Sequence, residues 1–400
     1  MLAVFVLAAM ILCVPPVLNK LHARLGEDTA LLAGRLGLHL FTQPENTRAD
    51  FYQKEDRKEV LITDMTTAED LRVFEDSFEN PAHIAGIQFI HKGGIMETAE
   101  AFFAKEAEYM ILNDAELDFL MQGKPDLYNF ARPVRTAKAA VPSGLPEGTV
   151  NLYSTPFVIY LPVYHGMDDL PDKIVNDGNI LIAVNPDEMK ILLVSVPGDM
   201  IVKEESGDEE LLKYEGLHGS AHLLRTAKRV FGETTENILA IDYRTINSFL
   251  LTLDELEVEN PGDFHTSAGT FYPEGPVYVY PDTVVGYLTE GGGEARQTRE
   301  LYALRSFIDY MQYYDHTYYF DNYVRNNVNR MITNLRKYEF FTFCQRIVDD
   351  ERTWDFELVC ATGEQANVYS KTAGKIVTGI RVDEDFIAGI KDKIAETLGR

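Results

Sequence analysis

Asp177-Gly-Asn-Ile-Leu-Ile-Ala-Val-Asn-Pro186 and, three residues on, Lys190-Ile-Leu-Leu-Val-Ser-Val-Pro-Gly-Asp199 decide how this chain folds. The two runs read as strands. Val, Ile and Leu fill them without polar alternation, the pattern of strands buried on both faces of a sheet. Asn185, Pro186 and Asp187 supply turn chemistry between them. Asp177 opens the first strand and Asp199 closes the second, so two carboxylates stand at one mouth of the hairpin. In α/β proteins that is where active sites gather.

Working outward, further strands and helices alternate. Phe157–Leu161 and Ile238–Asp242 read as strands, Gly219–Phe231 and Tyr243–Leu253 as helices. Tyr278–Leu288 holds a strand and a short helix, a long helix starts near Arg296, and Asp383–Leu398 is amphipathic. A first, smaller α/β unit is predicted over 58–136, with strands at Glu59–Thr63, Ile84–Ile90 and Glu108–Asn113 and helices at Ala68–Ser77, Glu97–Lys105 and Ala115–Met121. Pro142, Gly144, Pro146 and Gly148 mark 137–152 as a linker, which leaves 153–400 as the main domain. Residues 20–57 read as a connecting segment. Residues 1–19 are almost wholly apolar and near the length of a bilayer span, although Pro15 and Pro16 shorten the clean run and no Lys or Arg precedes it. The expectation is a membrane anchor with the bulk of the chain extracytoplasmic. A buried N-terminal helix is the plainer alternative.

With 37 basic and 63 acidic residues the chain carries a formal charge of -26. No basic excess exists to displace the counterions of a nucleic acid, which argues against that partner. A divalent cation or a sugar polymer is compatible. Cys13, Cys344 and Cys360 form no Cys-x-x-Cys pair; the last two are read either as a disulfide or as buried thiols. His218 and His222 have metal-ligand spacing without an evident third ligand, and a solvated helix face is the simpler reading. The acidic run from Glu204 to Glu210 lacks the order of an EF-hand and reads as a solvated loop. The aromatic run Tyr310–Phe320 fits a core helix better than a ligand site.

The Asp177–Asp199 stretch resembles the Ser-Asp-x-Asn hairpin and Pro-Arg-Asp signature of the LytR–CpsA–Psr family of cell-wall glycopolymer transferases. The order of motifs extends the resemblance. Gly216–Gly232 is similar to that family's glycine-led helix, Ala240–Tyr243 to its strand-to-helix junction, and Asp282–Leu288 to a segment with Tyr287 at the tyrosine. Arg296 and Arg299 fall at the spacing of Gly-Arg-x-x-Arg-Gln, and Gln345, Trp354 and Gly363 fit the tail. Ala101–Arg135 resembles the accessory domain of streptococcal capsule-type members. The resemblance implies an α/β/α sandwich with a small α/β accessory domain and an N-terminal membrane helix. It implies transfer of a glycopolymer phosphate from polyprenyl pyrophosphate to peptidoglycan at a membrane, with Mg²⁺. Asp177 matches the metal-binding aspartate. Asp199 and Arg296 match catalytic positions, and Arg296, Arg299 and Asn179 match substrate-binding ones.

The chain also departs from that pattern. Gly198 stands at the Pro-Arg-Asp arginine, Thr289–Gly291 at an Arg-x-Arg pair, Gly293 and Leu251 at aspartates, and Glu300 at the glutamine. Three lost cations, at roughly 1.5–3 kcal/mol per charged hydrogen bond, weaken stabilisation of a pyrophosphate transition state by several kcal/mol. The alternative reading is therefore a degenerate relative that binds polyprenyl lipid, or scaffolds or regulates envelope polysaccharide assembly.

Overall fold

The apolar hairpin forms as its pattern predicts and sits at the centre of the molecule. A computed structural model describes residues 33–53, 57–123, 127–142, 144–149, 151–165, 173–204, 206–310, 331–335, 346 and 353–400. The segment 1–19, Cys13, Cys344, Gln345 and Tyr313–Phe320 lie outside the described residues. Among the described residues no helix is long and apolar enough to cross a membrane.

The first layer comprises β1 (Ala33–Thr42), α1 (Arg48–Gln53), β2 (Lys58–Ile62), α2 (Ala68–Asp76), β3 (Ile87–His91), α3 (Ile95–Phe103), β4 (Tyr109–Asn113), α4 (Asp114–Gly123), α5 (Leu127–Phe130) and β5 (Arg132–Pro142). Its sheet has the order β3-β2-β4-β1-β5. Residues assigned from sequence to the connecting segment supply β1 and α1, and β5 runs past 136 into the expected linker. Side chains alternate across the sheet as the pleat requires. Val60, Ile62 and Ile111 join Phe51 and Phe74 under α1 and α2. Leu61, Met110 and Leu112 face α3 and α4, and that core continues into Leu211, Tyr214 and Leu217 of the main domain.

The main domain comprises β6 (Phe157–Tyr164), β7 (Asn176–Asn185), β8 (Lys190–Pro197), β9 (Ile201–Lys203), β10 (Glu209–Leu211), α6 (Leu212–Glu215), α7 (Ser220–Phe231), β11 (Asn237–Asp242) and α8 (Tyr243–Leu253). The ribbons β12 (Leu256–Asn260), β13 (Phe264–His265), β14 (Phe271–Tyr272) and β15 (Gly275–Val279) follow, then α9 (Val284–Thr289) and α10 (Gly293–Tyr310). The chain ends with β16 (Met331–Thr333), β17 (Asp355–Cys360), β18 (Gly363–Ser370), β19 (Lys375–Val382) and α11 (Glu384–Thr397). Among the described residues the main sheet runs β16-β11-β6-β7-β8-β17. β11 is parallel to β6 and β17 to β8, and β7 is antiparallel to both its neighbours. The ends of β6, β8, β11 and β17 therefore share one edge with the start of β7.

Ile180, Ile182 and Val184 point to one face, packed with Leu250, Val284, Leu301 and Ile308 of α8, α9 and α10. Leu181 and Ala183 point to the other, against Leu223, Ala227 and Phe231 of α7 and Ile390 and Ile394 of α11. This is the expected α/β/α sandwich. Each buried aliphatic side chain contributes about 1.5–3 kcal/mol relative to exposure, so the continuous apolar runs of β7 and β8 anchor both layers.

Polar ties hold the first layer to the main domain. Lys173 donates to Asp70 of α2 at 2.7 Å, with both side chains 7% exposed. The β18–β19 turn accepts from the first turn of α3, Ile95 N to Thr372 O at 3.0 Å and Met96 N to Ala373 O at 3.1 Å. The acidic run expected as a solvated loop holds that hairpin. Asp208 pairs with Lys371, Glu209 with Arg381, and buried Glu210 accepts from Ser370 Oγ and Thr372 N.

Candidate functional site

The site begins with a register slip. Val163 pairs with Gly178 and Tyr164 with Asn176, so Asp177 is one residue too many in β7. Such a bulge re-aims the extra side chain. Asn176 and Asn179 bond one another on the α7 face of the sheet, Asn176 Nδ2 to Asn179 Oδ1 at 2.5 Å. Asp177 is turned to the α10 face, where Arg296 Nη2 donates to its Oδ2 at 2.8 Å.

Three more elements converge there. Tyr243 starts α8 just after Asp242, the N-cap whose Oδ1 accepts from Thr245 N at 2.6 Å. Its hydroxyl lies 3.4 Å from Asp177 Oδ2 and accepts from Arg296 Nη2 at 3.2 Å. His165, just past β6, packs its ring against Tyr243 at a tilt of 41° with centroids 4.7 Å apart, and has Nε2 3.8 Å from Asp177 Oδ2. Glu300 sits one turn below Arg296 on α10; its Oε1 accepts from Arg296 Nε at 3.0 Å and its Oε2 from Ser195 Oγ at 3.3 Å. Gly178 faces it, and a Cβ there would stand in ordinary contact, 3.4 Å from Glu300 Oε1. Arg296 is thus clamped between two carboxylates, with 17% of its side chain exposed and 10% of that of Glu300.

Burial dominates the electrostatics. It pushes Glu300 up to about 7 against the pull of Arg296. Burial opposes the charge of Arg296 as well, but Glu300 and Asp177 outweigh it and hold the guanidinium firmly protonated. Burial raises Tyr243 well above the ordinary phenol range, so it remains a neutral hydroxyl.

Behind this cluster lies a cavity of about 230 Å³ between the sheet and helices α8 and α10. Ile159, Leu161, Ile180, Ile246, Leu304 and Phe307 are among its walls, and Tyr243, Gly178 and Glu300 stand at its polar end. A cavity with aliphatic walls and a few convergent polar groups at one end suits a long apolar ligand with a polar head.

The other residues singled out from sequence lie elsewhere. Asn179 is buried on the α7 face, where it also accepts from Tyr160 OH at 2.5 Å. Arg299 turns away from Asp177. It donates to the carbonyls of Tyr287 at 3.1 Å and of Glu290, and its guanidinium lies 3.7 Å over the Phe264 ring. It closes the C-terminal end of α9, and burial lowers its affinity for the proton. Asp199 pairs with Lys213 of α6. Gly198 is wedged against β7: a Cβ would lie 2.7 Å from Asp177 O and 2.8 Å from Asn176 O. An arginine does not fit that backbone. Glu290 is tied to Ser267, Arg244 lies 3.6 Å from Asp242, and Arg225 projects from α7 on the opposite side of the sheet.

His222 bonds Glu215 at 2.9 Å, and its ring is 5.0 Å from that of His218. Among the described residues no group of three His, Cys, Asp or Glu is placed to hold a metal. Asp177 alone would suit the Mg²⁺ mode in which one carboxylate acts with substrate phosphates and water. Cys360 is a free thiol. Sequence reasoning placed Tyr243 at the strand-to-helix junction and Glu300 at the family's glutamine, without joining either to Asp177. Their signals were a hydroxyl at the carboxyl edge of β11 and a carboxylate at i,i+4 from Arg296. His165, just past β6, was missed.

The sandwich is the fold that the resemblance to the LytR–CpsA–Psr family implies, and the comparisons agree at the level of the fold. Three solved structures are similar to this chain. TagV of B. subtilis superposes with a TM-score of 0.53 at 15% identity, covering 62% of this chain and 98% of that chain. Protein gbs0355 from Streptococcus agalactiae gives 0.51 at 14% identity, over 62% and 89%. TagT bound to LIIa-WTA gives 0.50 at 12% identity, over 63% and 94%. No family model matches the sequence, and no curated protein matches it.

Proposed function

We propose that this chain acts on a polyprenyl-linked cell-wall glycopolymer at the membrane. The cavity receives the polyprenyl tail, Arg296 faces the head-group phosphate, and Asp177 would hold Mg²⁺, which would supply charge neutralisation to that phosphate. A peptidoglycan hydroxyl then attacks the glycopolymer-side phosphorus, the bond from that phosphorus to the bridging oxygen breaks, polyprenyl phosphate leaves, and the hydroxyl proton passes to solvent. Phosphoryl transfer asks chiefly for positioning and charge neutralisation, and a bidentate guanidinium beside a carboxylate supplies both. The observation that carries this reading is an aliphatic cavity lined at one end by Tyr243 and Glu300, both of which bond Arg296, the partner of Asp177. The fold shared with TagV and with TagT bound to LIIa-WTA agrees with it.

A second reading, lipid binding without transfer, is favoured by the two carboxylates on Arg296, the outward turn of Arg299 and the closed backbone at Gly198. A Mg²⁺-dependent in vitro ligation assay with lipid-linked glycopolymer separates the two. Transfer that is lost in Arg296→Ala, with tail binding retained, supports the transferase. Tail binding with no transfer in the unaltered protein supports the second reading.

A further inference from the structure

Arg296 lies behind Glu300 and Tyr243, which line the cavity, and its Nη2 and Nε are both engaged by carboxylates. Asp177 Oδ2 accepts from Nη2 at 2.8 Å, and Glu300 Oε1 accepts from Nε at 3.0 Å. Arg299, the other arginine on this stretch of α10, spends its donors on main-chain carbonyls. The cluster therefore pairs one guanidinium with two carboxylates and a neutral phenol. Glu300 is held in place by Arg296 Nε at 3.0 Å and by Ser195 Oγ at 3.3 Å. It also lines the cavity.

We propose that Glu300 sets head-group specificity here: its carboxylate occupies on Arg296 the place of a head-group phosphate oxygen. A diphosphate then enters only by displacing Glu300, whereas the mouth takes a long-chain alcohol directly. An alcohol is uncharged and needs no counter-charge, while a diphosphate meets an unpaired negative charge in a water-poor pocket. This rests on the reading of the cavity as a tail site.

The test uses farnesol and farnesyl pyrophosphate as probes, titrated calorimetrically in EDTA at pH 8 into the whole protein and into Glu300→Gln. Glu300→Gln should bind farnesyl pyrophosphate at least tenfold more tightly than the unaltered protein, with farnesol affinity within twofold in both. Glu300→Met, uncharged and of similar length, should give the same shift, so the result does not hang on one variant folding. Unchanged pyrophosphate affinity in both variants, with farnesol still bound, overturns the role of Glu300 and leaves the tail site standing. Failure of farnesol to bind any of the three proteins overturns the tail site and this inference with it.

Discussion

At the scale of the residue, a buried carboxylate at the mouth of an apolar cavity shows itself in stability. Glu300 is pushed from 4.5 in the open chain to about 7 in the fold, chiefly by burial. The folded protein therefore holds a proton that the unfolded chain has lost, and stability falls as pH rises from 4.5 to 7. At about 1.4 kcal/mol per unit, Glu300→Gln should gain on the order of 3 kcal/mol over the parent between pH 4.5 and 7.5, read by urea unfolding at both. A constant difference would show that Glu300 does not titrate in that window. Arg299 behaves otherwise. Arg299→Lys keeps the charge but loses the planar fork that spans two carbonyls and lies on Phe264, and should cost about 2–3 kcal/mol. Equal stability of Arg299→Lys would put Arg299 back among the head-group ligands. Asp177 and Arg296 were singled out through the family resemblance, and their direct contact is a finding of the structure. The destinations of Asn179, Asp199 and Arg299 were not legible, because a single bulged residue in β7 decides which side chains share a face, and no periodicity reveals it.

At the scale of the element, the long strands and helices of the main domain were legible, whereas the short β9, β10, α6, β12, β13, β14 and β16 were not. The runs at β7, β8, β11 and α7 are long, and their patterns are unambiguous. The first layer was read less completely. β1 contains Gly34 and Gly37 and β5 contains Pro133 and Pro142, residues that mark loops when met in sequence, yet both strands complete a sheet whose faces are already apolar. The acidic run before α6 was taken as solvated because its partners, Lys371 and Arg381, lie some 160 residues away in sequence. Gly198 gives the sharpest test at this scale. Its backbone lies against the carbonyls of Asn176 and Asp177, so Gly198→Ala should destabilise by about 1–3 kcal/mol through overpacking, and Gly198→Arg by more. A Gly198→Arg protein of parental melting temperature would show that the β7–β8 edge opens readily.

At the scale of the whole molecule, an apolar core, the main-chain bonds from α3 to the β18–β19 turn and the buried Lys173–Asp70 pair join the first layer to the main domain among the described residues. Lys173→Met strands Asp70 without its partner and should cost about 3–5 kcal/mol, measured by thermal unfolding. Lys393→Met, which breaks the exposed pair with Glu357, should change stability by no more than about 1 kcal/mol. Equal effects would mean that the layers do not depend on the Lys173–Asp70 contact.

The central claim is that the cavity between the main sheet, α8 and α10 holds an isoprenoid tail. Ala303 lies on its wall, and Ala303→Phe fills the space from a rigid helix. The most direct measurement is native mass spectrometry of the parent and of Ala303→Phe with farnesol. The expected result is a one-to-one complex in the parent and none in Ala303→Phe, with the variant's melting temperature undiminished. Equal binding by both proteins, or none by the parent, contradicts the claim.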